Sequence, residues 1–351
     1  MTFLPTSVQL NFSTVATYGG QNNTNGTNCS QIESEEWIIT VVPVYILLLT
    51  ALGIVCNMFV LMVFCLHKKP CTVPEIYLSN LAAADLVLLA CLPFWAVNIS
   101  NRFNWLFGHF LCKVVNLGIS MNTYCSIYFL VLVSVDRYIA LVHPLSHNRM
   151  RRTKYAKLGC VVVWGLGLLL SIPKFIFRVV EPRCNQTLCY NKYPEGTHLP
   201  FDVMLTVFGF IIPIFFISYC TAKIIHTLNN RLSKGLNSHN TEHKSTTLVL
   251  AVLLAFLICW VPFHVVTIAE ALTRAKLLKA DLNVLDTSIH ICIYLAFFNS
   301  VLNPILYVIV GKNFRRKVKE LFKKRSRGAT FNNTSVQSYL TRSVKSVNVT
   351  S

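Results

Sequence analysis

Asp85 is the one charged residue within LAAADLVLLA. An ionisable group among apolar side chains is costly enough to mark a functional candidate. Two readings fit it. One is a packing carboxylate hydrogen-bonded to its neighbours. The other is a site shared with Asn122, Ser126, Asn299, Ser300 and Asn303, whose oxygens suit a small hard cation such as sodium. Pro213, Pro262 and Pro304 sit in three further apolar runs. Each removes a backbone donor and permits a kink, a basis for a bundle with two states.

The elements that must position these residues follow from composition. Of 351 residues, 54% are hydrophobic and 13% charged, about half the charge of an ordinary soluble domain. Apolar runs of roughly 20 residues are long enough to cross a bilayer as helices. Seven occur, at about 37–66, 76–98, 110–135, 157–177, 201–226, 245–271 and 285–310. In lipid every backbone polar group must pair internally, so runs of this length without alternation are helices. With the N-terminus outside, the outer segments carry as many acids as bases, and the net charge of +18 lies on the inner side. That is the positive-inside asymmetry. Anionic inner-leaflet lipid therefore accounts for the charge, and nucleic acid is not an expected partner.

The N-terminus, MTFLPTSVQL, lacks the basic start and apolar stretch of a signal peptide. Residues 1–36 form a polar outer tail with sequons at Asn11, Asn22, Asn25 and Asn28. Asn98 and Asn185 are candidate glycosylation sites in the outer loops, whereas Asn333 and Asn348 fall on the cytoplasmic side and should stay bare. The bundle spans 37–310. Residues 311–325 place Phe314, Val318, Leu321 and Phe322 on one helical face against basic residues, predicting an amphipathic helix on the inner leaflet. Residues 326–351 read as a disordered Ser- and Thr-rich tail without cysteine. Most of the 13 cysteines lie inside apolar runs as small buried hydrophobes. Cys112, at the outer end of the third run, can bond to Cys184 or Cys189 in the second outer loop. Cys189 is favoured because it immediately precedes the approach to the fifth run, which leaves Cys29 to pair with Cys184.

Six markers then fall in order along 37–325: Asn57, L-A-A-A-D around Asp85, Asp136–Arg137–Tyr138, Trp164, C-W-V-P-F at Cys259–Phe263, and N-P-I-L-Y at Asn303–Tyr307. Together they resemble the rhodopsin-like G-protein-coupled receptors. The resemblance implies a seven-helix, all-α membrane fold at the plasma membrane, a heterotrimeric G-protein partner and no enzymatic activity. It implies that Asp136 and Glu242 restrain Arg137, and that Trp260 senses ligand. It also makes Ile127, Pro213 and Phe256 relay repacking, with Tyr307 and Pro304 in the last marker and Tyr307 swinging inward on activation. The family usually has a tyrosine where Thr221 stands, which leaves Tyr307 to find another partner.

The segments VFCLHKKPCTVPEIYLSNLAAADL, NRFNWLFGHFLCKVVN, ISMNTYCSIYFLVLVSVDRYIALV and YVIVGKNFRRK are more narrowly similar to the bradykinin (kinin) receptors, nearer the constitutive subtype. These bind short peptides with arginine at the N-terminus and, in the intact form, at the C-terminus. By that resemblance Glu270 and Asp286 receive the N-terminal arginine, a charge-assisted pairing that suits a guanidinium. Ser120 replaces a lysine of the inducible subtype and leaves room for a cationic end, while Trp95, Ile119, Phe263 and Thr267 line the apolar part. The resemblance further implies coupling mainly to the Gq class with calcium release, and receptor kinases and arrestin acting on residues 326–351. The third outer loop, TRAKLLKADLN, lacks the cysteine usual in the constitutive subtype, which marks a divergent member. A peptide receptor of the angiotensin or chemokine kind is the alternative. A transporter or intramembrane enzyme is disfavoured, because the sequence shows no internal repeat, metal-ligand helix motif or nucleophile elbow.

Overall fold

The computed structural model describes residues 36–323 except 68–69, 144–152, 184–185, 195–197, 234–239 and 275. The sequons at Asn11, Asn22, Asn25, Asn28, Asn185, Asn333 and Asn348, the cysteines Cys29 and Cys184, and the tail 326–351 lie outside the described residues. Among the described residues, seven helices are long and apolar enough to cross a membrane. They are α1 (Glu36–Leu66), α2 (Val73–Ser100), α3 (Gly108–Val142), α4 (Thr153–Phe177), α5, α6 (Asn240–Arg274) and α7 (Leu282–Ile309). Helix α5 runs from His198–Thr206 through a π-helical turn, Val207–Ile211, into Ile212–Ser233. An antiparallel hairpin of β1 (Arg178–Arg183) and β2 (Gln186–Asn191) joins α4 to α5, and a short α8 covers 312–323.

Large apolar side chains such as Leu48, Val55, Val161, Phe215 and Leu254 face outward, a surface suited to lipid rather than water. The interior is tied by the few polar groups the helices carry. Asn57 Nδ2 donates to the Gly53 carbonyl at 3.0 Å and to the Ser300 carbonyl at 2.9 Å, joining α1 to α7. Trp164 Nε1 donates to Asn80 Oδ1 at 3.0 Å, joining α4 to α2. A Cβ on Gly53 would come within 2.7 Å of the Leu89 side-chain methyls, so any larger residue there would have to push Leu89 aside where α1 meets α2.

Helices outrun their apolar runs. Helix α3 continues past 135 to Val142 and carries Asp136 and Arg137 inside it, both buried. Helix α2 continues to Ser100, which overturns the outer-loop placement of Asn98. Its side chain is 3% exposed in the last helical turn, and its carbonyl accepts the Phe103 N–H at 2.7 Å. A glycan needs an accessible carboxamide, and helical periodicity turns this one inward.

The π turn of α5 ends at Ile211, two residues before Pro213. A proline cannot donate to the carbonyl one turn back, and local widening absorbs the defect. The Phe208 carbonyl is taken by the Tyr128 hydroxyl of α3 at 2.9 Å.

Helix α8 follows α7 directly. Phe314 is buried against Phe64, Phe59 and Tyr307, with ring centroids 5.6, 6.1 and 6.2 Å apart. The expected division of faces is corrected in two places. Lys317 is buried with Phe314, its Nζ 2.9 Å from Glu75 Oε2 at the start of α2 and over the Phe64 ring. Phe322 is exposed, while Val318 and Leu321 are half-buried. The buried face therefore centres on a salt bridge rather than on a purely apolar stripe.

Candidate ligand pocket and transmission core

At the outer end, the hairpin is held down by a disulfide between Cys112 of α3 and Cys189 of β2, the favoured one of the two pairings open in the sequence. Cys189 faces Val180 across the hairpin. The first residue of β1, Arg178, is 1% exposed at the outer end of the bundle. Its Nη2 donates to Asn116 Oδ1 at 2.5 Å and its Nη1 to the Cys189 carbonyl at 3.5 Å. The guanidinium lies 5.8 Å from the Trp95 ring centroid, a cation–π distance, and its Nε has no hydrogen-bond partner. Burial lowers the Arg178 pKa to about 10, which leaves it protonated at neutral pH. Sequence reasoning missed this residue, because a basic group flanking a membrane span ordinarily reads as a solvated anchor.

Trp95, Ile119, Ser120, Phe263 and Thr267 are all buried. Trp95 packs on Trp105 at 6.2 Å. On α6 the residues Phe256, Trp260, Phe263, Thr267 and Glu270 follow one another at spacings of four or three and form one buried stripe, the pattern of a single helix face. Phe256 stacks on Trp260 at 5.8 Å, and Phe263 meets Trp260 edge-on at 6.1 Å. The Thr267 hydroxyl donates to the Phe263 carbonyl at 2.8 Å, so only its lone pairs remain for another group. His264, also missed from sequence, is buried beside this stripe. It stacks on Phe210 of the π turn at 4.5 Å, and its Nδ1 has no partner. Its polarity one residue beyond C-W-V-P-F was the available signal.

Glu270 is 5% exposed and holds the Arg274 guanidinium one turn above it. Asp286 lies in the first turns of α7, and its side chain is outside the described part. The same holds for the side chain of Glu242 in α6.

Deeper in the bundle, Asp85 accepts Asn122 Nδ2 on Oδ1 and Asn303 Nδ2 on Oδ2, each at 3.1 Å. Asn122 Nδ2 also reaches Ser126 Oγ at 3.1 Å. Asn299 Oδ1 and Asn303 Oδ1 are buried without partners. The Ser300 hydroxyl donates to the Phe297 carbonyl at 2.7 Å. One carboxylate, two orphaned carbonyl oxygens and hydroxyl lone pairs make an oxygen-rich donor set that fits a small hard cation.

Below it, Ile127 and Phe256 share one buried cluster with Trp260, and Pro213 is buried on α5. At the inner end, Arg137 folds onto Asp136, with Nη2 at 2.6 Å and Nε at 3.0 Å from Oδ2. The Tyr138 hydroxyl lies 3.1 Å from His143 Nε2, and its ring is 6.0 Å from that of Tyr219. Tyr307, beside Pro304, is 1% exposed, and its hydroxyl has no hydrogen-bond partner. Thr221 Oγ1 is likewise buried and unpartnered.

The profile of the seven-transmembrane receptors of the rhodopsin family matches residues 56–307. The B2 bradykinin receptor of Homo sapiens is 47% identical over 309 residues, covering 85% of this chain and 79% of that receptor. The B2 bradykinin receptor of Sus scrofa is 45% identical over 311 residues, covering 85% of each. The B1 bradykinin receptor of Homo sapiens is 39% identical over 307 residues, covering 85% of this chain and 87% of that receptor. With seven membrane-length helices, a stripe of buried aromatics and relatives this near, the chain is a multi-pass plasma-membrane protein that belongs to the rhodopsin family of seven-transmembrane receptors, in the branch of the bradykinin receptors.

Proposed function

We propose that this receptor is activated by bradykinin or a closely related kinin and signals mainly through a Gq-class G protein to phospholipase C and calcium. The observation that carries the reading is the α6 stripe. It begins at Phe256 and Trp260 in the core and ends at the outer rim on Glu270, a buried carboxylate already engaged with a guanidinium. A site of this chemistry favours a peptide that begins with arginine, with Asp286 as the second acid. The names of the B2 and B1 relatives support the same ligand class.

In this reading the apolar part of the peptide rests on Trp95, Ile119, Phe263 and Thr267, and neutral Ser120 admits a cationic end. Arg178, buried with a free Nε, is the counter-charge for a terminal carboxylate. Pressure on Trp260 passes through Phe256, Ile127 and Pro213, releases Arg137 from Asp136 and draws Tyr307 inward for the G protein. Asp85, Asn122, Ser126, Asn299 and Ser300 would hold a sodium ion, whose charge would stabilise the resting arrangement. Receptor kinases and arrestin act on Ser and Thr in 326–351. The direct test is calcium release in cells expressing the chain, challenged with bradykinin and with the peptide lacking its last arginine. A larger response to the full peptide is expected, and silence to both overturns the kinin assignment.

A further inference from the structure

The buried stripe on α6 has one more member at helical spacing, Arg274, four residues beyond Glu270. Its Nε and Nη2 both donate to Glu270 Oε1, at 2.8 and 2.7 Å. The two side chains differ in access: the Glu270 side chain is 7% exposed and that of Arg274 28%. The carboxylate is thus fixed in the wall, while the guanidinium sits at the rim on a long flexible stem that can turn to water.

We infer that Arg274 is an intramolecular competitor for the N-terminal guanidinium of the ligand, and so determines how much that residue contributes to affinity. The inference rests on the reading of Glu270 as the acceptor of that group. Before binding, Glu270 is paired with Arg274; after binding, it is paired with the ligand's arginine. The ligand gains only the difference between two similar charge-assisted pairs, plus the rehydration of Arg274. A peptide without the N-terminal arginine leaves the internal pair intact and does not sense Arg274. A pair that merely supports the helix end predicts no such difference between peptides.

The test is radioligand displacement on membranes carrying the full chain, with bradykinin and the same peptide lacking its first arginine. Arg274→Gln should tighten bradykinin about three- to tenfold and leave the truncated peptide unchanged. Arg274→Lys, which holds the carboxylate by one compact ammonium, should fall between. In a Glu270→Gln background the gain from Arg274→Gln should vanish, since the carboxylate that Arg274 holds is gone. Binding of the truncated peptide reports folded receptor in every variant. Weaker bradykinin binding in Arg274→Gln, or an equal shift for both peptides, overturns the inference while leaving the kinin reading standing. Absence of bradykinin binding to the unaltered chain overturns both.

Discussion

Arg178 and Asp85 are single charges kept in places where charge is costly, and each offers a separable test. Arg178 has three partners of limited strength: an amide oxygen, a backbone carbonyl and an aromatic face. None is an anion, and Nε is left over. A buried cation with no counter-ion among the described residues is strongly attractive to a carboxylate brought to it. We therefore expect Arg178→Gln, which keeps a donor for Asn116, to weaken a free-acid kinin by about tenfold or more, while the same peptide with a C-terminal amide changes little. Competition binding with the two peptides decides it, and equal losses would remove Arg178 from carboxylate recognition. Asp85 differs in that both its oxygens are engaged by amides. The orphaned oxygens of Asn303, whose amide donates to Asp85, and of Asn299 one helical turn before it are what ask for a cation. Agonist affinity should differ between sodium chloride and an equal concentration of choline chloride, and Asp85→Asn should abolish that difference. A sodium effect that survives the substitution locates the ion elsewhere.

At the scale of elements, α8 is held by its contact with the start of α2 as much as by the membrane. Glu75 accepts the Thr72 N–H at 2.7 Å and Lys317 Nζ at 2.9 Å on the same Oε2. His67 and Glu320 add a second pair at 2.9 Å. The Glu75 and Lys317 side chains are 10% and 8% exposed, so removing one partner strands the other in a nearly dry site. Breaking such a pair costs about 3–5 kcal/mol, whereas replacing both members with apolar groups is often close to neutral. Lys317→Met should accordingly lower the Tm of the detergent-solubilised receptor by several degrees, and the double variant Glu75→Met/Lys317→Met should recover most of it. If the double variant is no better than the single, Glu75 matters for capping α2 rather than for α8. The sequence made α8 legible as an amphipathic helix, since Phe314, Val318 and Leu321 follow helical spacing. It could not show Lys317 turning inward, because the partner that neutralises it lies 242 residues away.

For the whole molecule, the bundle was readable because lipid imposes one rule on every span: satisfy the backbone internally and show apolar side chains outward. Hydropathy reports where a helix is in lipid, not where it ends, which is why α2 and α3 overran their runs and Asn98 turned inward. The hairpin was not legible. Its strands are six residues each, and they are attached to α3 by the disulfide rather than marked by periodicity. That attachment supplies the last prediction. Cys112 and Cys189 bind the hairpin to α3 beside Arg178, which donates to the Cys189 carbonyl, so the disulfide fixes the hairpin, and Arg178 with it, on the outer end of α3. A bridge of this kind is worth about 2–4 kcal/mol, here set mainly against motion of the hairpin. The paired variant Cys112→Ala/Cys189→Ala should lose kinin affinity by about a hundredfold while far-ultraviolet helicity stays unchanged. Should affinity persist in the double variant, the hairpin is held by its remaining contacts, Arg178 to Asn116, the Thr187 N–H to Asn104 Oδ1 and the Trp105 N–H to the Thr187 carbonyl, and Arg178→Ala combined with it should then lower affinity further.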